Sequence, residues 1–104
     1  MIIKDGGHGI TQKSLALWNA RKKDIGKVTS VKSFFENIDE TGHNTVITGE
    51  KGEMWLSGCN CGYGGEGPNG TREILVELGV DDETARTLMC RPAFIICFGD
   101  TTDF

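Results

Sequence analysis

Met54-Trp55-Leu56-Ser57 runs into Gly58-Cys59-Asn60-Cys61-Gly62-Tyr63-Gly64-Gly65-Glu66-Gly67-Pro68-Asn69-Gly70, and that into Thr71-Arg72-Glu73-Ile74-Leu75-Val76-Glu77-Leu78. The first segment is short and apolar, the middle one holds six glycines in thirteen residues, and the last is amphipathic. The order is strand, glycine loop, helix, which places the chain among folds that mix both element types. Glycine reaches positive φ without steric cost and lets a ligand approach the backbone closely. A loop so composed can aim several N–H groups at one anion, where the following helix presents its positive dipole end. The chemistry it indicates is phosphate binding.

On the N-terminal side, Met1 to Lys4 reads as a short strand and Asp5-Gly6-Gly7-His8-Gly9 as a turn. Ser14 to Arg21 and Lys27 to Glu36 each fit both periods. Leu15, Leu17 and Asn19 alternate as in a strand, whereas Leu15, Trp18 and Ile25 fit a helical stripe. Lys22-Lys23-Asp24-Ile25-Gly26 looks like a hairpin loop, so the expectation is two antiparallel strands, about 15–21 and 27–35. Asp39 to Asn44 is a turn, and Thr45 to Thr48 a strand. It turns through Gly49-Glu50-Lys51-Gly52 into a returning strand, Glu53 to Ser57.

On the C-terminal side, Ile74, Leu75 and Leu78 set a helical stripe over Thr71 to Leu78 that Gly79 caps. Asp81-Asp82-Glu83-Thr84 opens a second helix that ends before Pro92. Ala93 to Phe98 is an unbroken apolar run expected to be a buried strand, with a loose tail after Gly99-Asp100. The expected fold is a single α+β domain over residues 1–104: an antiparallel sheet of four to five strands with two helices in the C-terminal half.

The glycine loop fits no nucleotide-enzyme motif literally. It contains G-x-G and G-x-x-G elements but runs longer than the dinucleotide fingerprint, and no parallel crossover with an acidic ribose ligand is evident. No lysine followed by Ser or Thr stands at a P-loop position. The glycines equally suit a wide irregular loop packed against the sheet. The ordering cost of such a loop favours a binding role. The expected ligand-binding set is Gly58, Asn60, Gly62, Tyr63, Gly64, Gly65, Gly67, Asn69, Gly70, Thr71 and Arg72. Tyr63 is positioned to stack on a base and Arg72 to pair with a phosphate.

Cys59-Asn60-Cys61 offers a competing reading as a metal site. Its C-x-C spacing is not that of structural zinc, and in an extended segment it would send its two sulfurs to opposite faces. Cys97 sits in an apolar run and reads as core. No metal or other cofactor is expected. No G-x-S-x-G is present and no acid–base pair can be argued, so no catalytic residues are assigned. His8 in its glycine turn reads as an exposed side chain.

Composition narrows the partners. The chain has 104 residues with 15 glycines, only 2 prolines and a net charge of −4. A face for duplex nucleic acid would be basic, and the lysines cluster only around Lys22-Lys23, Lys27 and Lys32. The start Met1-Ile2-Ile3-Lys4-Asp5 has no long apolar stretch, so the expectation is a cytoplasmic protein with reduced thiols and no membrane partner. Small size, acidity and absence of catalytic machinery resemble small bacteriophage accessory proteins in general. The expected function is non-catalytic binding of a phosphate-bearing small molecule, a nucleotide, as in a phage sponge that sequesters a host immune signal. A homo-oligomer is expected, with room for a site between subunits. The alternatives are an interaction module that inhibits a host enzyme, the loop then being structural, and a small hydrolase or transferase.

Overall fold

In the computed structural model, which describes residues 1–99, five strands and three helices follow one another as β1 (Ile2–Lys4), α1 (Thr11–Arg21), β2 (Val28–Phe34), β3 (Thr45–Gly49), β4 (Glu53–Leu56), α2 (Glu66–Glu77), α3 (Asp82–Met89) and β5 (Ala93–Cys97). A 3-10 turn, Lys22–Ile25, joins α1 to β2. The sheet order is β1-β4-β3-β2-β5. The result is a small compact α+β domain.

The meander in the middle follows the expected hairpins. β3 and β4 pair antiparallel from Thr45↔Leu56 to Thr48↔Glu53, closed by Gly49 N–H donating to Gly52 O at 2.8 Å. β2 pairs antiparallel with β3 on one side and with β5 on the other. The sheet is mixed rather than antiparallel throughout, because β1 runs parallel to β4 with Ile3 opposite Met54. A parallel neighbour cannot be reached by a tight hairpin. Accordingly β1 leads into a helix, and the chain returns to its side only through β4.

That helix corrects the strand expected at 15–21. Its residues Gln12, Lys13, Leu15, Ala16, Leu17, Ala20 and Arg21 are good helix formers. Its buried face, however, is Thr11, Ser14 and Trp18, spaced by three and four but polar at two of three positions. The hydroxyls on that face are spent on hydrogen bonds, so the apolar stripe that marks a helix is faint. The residues expected to form a hairpin loop are the 3-10 turn, with Ile25 fully buried and Gly26 at φ +75° ending it.

The run Ala93 to Phe98 is an edge strand rather than a buried one. Phe94 is buried, but Ile95 is 64 % exposed, and Ala93 and Cys97 are exposed beside it. Cys97 is therefore not core. Alternation along β5 sends Phe94 and Ile96 to the helix-covered face and their neighbours to the other. The core joins Ile3, Val31, Ile47, Met54, Leu56 and Phe94 of the sheet to Trp18, Ile74, Leu75 and Ala85 of the helices, with Ile25, Cys59 and Cys61 from the connections. The tail after Gly99 lies outside the described residues.

α2 begins at Glu66 rather than Thr71, so the second half of the expected loop is helix. Pro68 is tolerated there because a first-turn N–H has no intrahelical acceptor to lose. The other end is as expected. Gly79 sits at φ +99°, and Val80 N–H reaches back to Leu75 O at 3.0 Å, a glycine-terminated helix end. α3 is capped by Asp81, whose carboxylate accepts from Thr84 N–H at 3.0 Å.

Candidate functional site

Two adjacent parallel strands, β1 and β4, each pass into a glycine-containing loop and then a helix. Their carboxyl ends therefore lie side by side, and α1 and α2 start from the same end of the sheet. Between the two starts lies a pocket of about 320 Å³, lined by Gly9, Ile10, Thr11, Ser57, Gly58, Asn60, Tyr63, Glu66 and Gly67. Neither helix has a side-chain cap at its N-terminus. The first-turn N–H groups of a helix have no intrahelical acceptor, and Thr11, Glu66 and Gly67 of these first turns line the pocket. Unsatisfied first-turn donors and the positive ends of two helix dipoles thus converge on one cavity.

The two starts are held together by direct bonds. Thr11 Oγ1 donates to Gly58 O at 2.7 Å, and Gly58 N–H donates to Ser14 Oγ at 2.8 Å. A Cβ on Gly58 would overlap the Ile10 carbonyl and come within 2.6 Å of Thr11 N, so only glycine lets the second loop lie on the start of α1. Under the pocket, the Asp5 carboxylate accepts from Ser14 Oγ at 2.5 Å, Ser57 N–H at 2.8 Å and Gly7 N–H at 3.1 Å. Burial pushes this carboxyl up, but the bonds from Ser14, Ser57 and Gly7 outweigh it and hold the group below the usual carboxylate range. Buried His43 stands between two carboxylates, Nε2 at 3.2 Å from Asp5 and Nδ1 at 3.0 Å from Asp39. Lys4 continues the chain at 3.3 Å from Asp39 while lying over the Trp55 ring. This polar ladder fixes the floor beneath both loops.

Of the expected site residues, Gly58, Asn60, Tyr63 and Gly67 line the pocket. Asn60 Oδ1 is buried with no hydrogen-bond partner among the described residues. A Cβ on Gly67 would displace it and would lie 2.9 Å from Tyr63 Oη. Tyr63 is 42 % exposed, and its ring meets exposed Phe35 edge to face with centroids 6.0 Å apart. Gly62 takes φ +100° with its N–H on Met89 O at 2.8 Å, whereas Gly64 and Gly65 are not in the left-handed region. None of those three lines the pocket, and the loop is not a continuous anion nest.

Asn69, Gly70, Thr71 and Arg72 lie within α2, off the pocket. Thr71 Oγ1 donates to Asn60 O at 2.7 Å, tying loop to helix. Gly70 packs against Thr11 and Cys59, and Asn69 Nδ2 donates to Gly65 O at 2.9 Å. Arg72 is turned toward α3, where Nη1 bonds Asp82 at 2.7 Å. Gly9, Ile10, Thr11, Ser57 and Glu66 complete the pocket and were missed by sequence reasoning. The signal for the first three was D-G-G-H-G after a short strand, hidden once the next segment was read as a strand.

The cysteines do not behave as an extended C-x-C pair. Cys59 and Cys61 are both buried, because their segment is an irregular loop enclosed between α2 and the sheet. Burial pushes the Cys59 thiol up to about 12, with the Asp5 and Glu73 carboxylates adding to the shift. Burial also raises Cys61, outweighing a hydrogen bond from Ser33. Among the described residues no group of three or more His, Cys, Asp or Glu is arranged to hold a metal ion. No described helix is long and apolar enough to cross a membrane. No family model matches the chain, and no curated protein or solved structure does either.

Proposed function

We propose that the protein binds a phosphate-bearing small molecule, a nucleotide, in the pocket between the starts of α1 and α2, and does so without turnover. The observation that carries this reading is the convergence of two uncapped helix N-termini on one cavity at the carboxyl ends of two parallel strands. Ligands of open α/β sheets favour that location, and helix starts favour phosphate. Tyr63 at the rim offers a face for a base. Glu66 has no basic or acidic partner among the lining residues, which favours binding over acid–base chemistry. A binder of this kind acts by sequestration, the use a viral accessory protein would make of it against a host nucleotide signal.

A thermal-shift screen against nucleotides tests the reading. A ligand at 100 times its dissociation constant should stabilise the fold by about 2.7 kcal/mol. Absence of any shift with every nucleotide, nucleoside and inorganic phosphate would reject it. The exposed edge strand β5, with Ile95 and neighbouring Phe35 in solvent, favours the interaction module as the second reading.

A further inference from the structure

We infer that two copies of this chain join edge to edge through β5, antiparallel and with Ile95 on the two-fold axis, so that their sheets run on as one; this is independent of what the pocket binds. β5 is an end strand of the sheet, and among the described residues no strand lies on its outer side. Its ladder to β2 decides which backbone groups are left over. Phe98 N–H donates to Thr29 O, and Pro92 O accepts from Phe35 N–H, both at 2.8 Å. In an antiparallel ladder such bonded positions recur at every second residue. Phe94 and Ile96 therefore turn their N–H and C=O groups toward β2, and Ala93, Ile95 and Cys97 turn theirs to the open side.

An open edge is a template for another strand, and proteins blunt it with short length or charge. The two edges of this sheet differ in that respect. β1 has three residues and carries Lys4. β5 has five, Ala93-Phe94-Ile95-Ile96-Cys97, with no charge and no proline. Ile95 is the most exposed large apolar side chain among the described residues. A strand of this composition invites uncontrolled pairing unless something covers it.

The occupant is a second copy because the edge complements itself. A register centred on Ile95 sets that residue against its own copy and Ala93 against Cys97 of the second copy. It is the antiparallel register that engages all three outward-facing residues on both strands. Their exposed side chains run small, large, small, so they match when one strand is reversed. Charge favours the same direction. Exposed Arg91 precedes the strand, and the sequence beyond it is acidic at Asp100 and Asp103. Antiparallel pairing brings unlike ends together, whereas parallel pairing would oppose like ends. The contact is isologous, so it closes at the dimer.

Sedimentation equilibrium of the full chain, from low to high micromolar, tests this. The parent should show a monomer–dimer equilibrium. Ile95→Lys places two like charges opposite each other, and Ile95→Pro removes the outward N–H without taking a bond from the ladder to β2. Each should raise the dimer dissociation constant about tenfold or more while keeping the parent's far-UV circular dichroism. Ile2→Lys, on the opposite edge, should leave the dimer unchanged. A parent that stays monomeric overturns the inference and leaves the edge to a strand of another protein. A parent that grows past the dimer, a dimer that survives Ile95→Lys, or one lost in Ile2→Lys also overturns it.

Discussion

Residues 2–21 and residues 53–77 build the same unit twice, strand, glycine loop and helix, yet they hold their loops in different ways. The first loop is short and gathered around one charged acceptor, Asp5, which takes bonds from Gly7, Ser14 and Ser57. The second is longer and relies on close backbone approach, with Gly58 against Ile10 and Thr11, and on uncharged ties such as Thr71 to Asn60 O. The difference teaches that glycine in the two loops serves packing as much as ligand access. It also implies that acid sensitivity belongs to the first unit, whereas both are sensitive to added volume, at Gly7 against the Thr41 carbonyl as at Gly58 against Ile10.

Added volume should give the largest effect. Gly58→Val should cost about 3 kcal/mol or more, because the overlap is with backbone that cannot rotate away. Urea denaturation measures this, and a wild-type midpoint would break the picture of two helix starts pressed together. Next comes the charged hub. Asp5→Asn should cost about 2 kcal/mol at neutral pH, the scale of a hydrogen bond to a charged group. The native Asp5 carboxyl lies below its ordinary value, so its contribution is full above about pH 4 and is lost as pH falls toward the native value. Asp5→Asn should therefore flatten the acid limb of a stability–pH curve. A limb as steep as the parent's would place the acid sensitivity elsewhere.

Smaller effects sharpen the contrast. Thr71→Val should cost about 1 kcal/mol by freeing Asn60 O, and should weaken ligand binding through the displaced Asn60 side chain. Arg72→Ala should cost about 0.5 kcal/mol, the worth of a partly exposed ion pair, and leave ligand binding unchanged by calorimetry. A loss of binding there would move the site toward α3. In thiol labelling of the native protein, Cys90 and Cys97 should react quickly and Cys59 and Cys61 slowly, with all four reacting after denaturation without reductant. Rapid labelling of Cys59 would show that the second loop opens.

Much of the second unit was legible in its sequence. The apolar run Met54-Trp55-Leu56, the Ile74-Leu75-Leu78 stripe and Gly79 located its strand and its helix end. The start of α2 was not, since Glu66-Gly67-Pro68-Asn69-Gly70 reads as loop by propensity, and packing of Gly70 on Thr11 and Cys59 overrides it. The first unit was hidden for the opposite reason. Thr11 and Ser14 face inward to hydrogen-bond Gly58 and Asp5, so the inner face of α1 carries only a faint apolar stripe, with Trp18 its one fully buried apolar residue. Thr11, which lines the pocket, and Ser14, which holds Gly58 beside it, are thus the residues that blurred the pattern by which the helix would be found. Arg72 was attractive by position alone, and its partner Asp82 lies on the next helix.

The strand pairing that creates the pocket, Ile2 with Glu53 through Lys4 with Trp55, joins segments separated by half the chain. Contacts between such distant segments carry a loop-closure cost and tend to form late in folding. β1 pairs only with β4, so its place in the sheet waits on residues 53–55, and the second helix start waits on residues 66 and beyond. On the ribosome, the pocket would therefore close only after more than half of the chain has emerged, whatever occupies it.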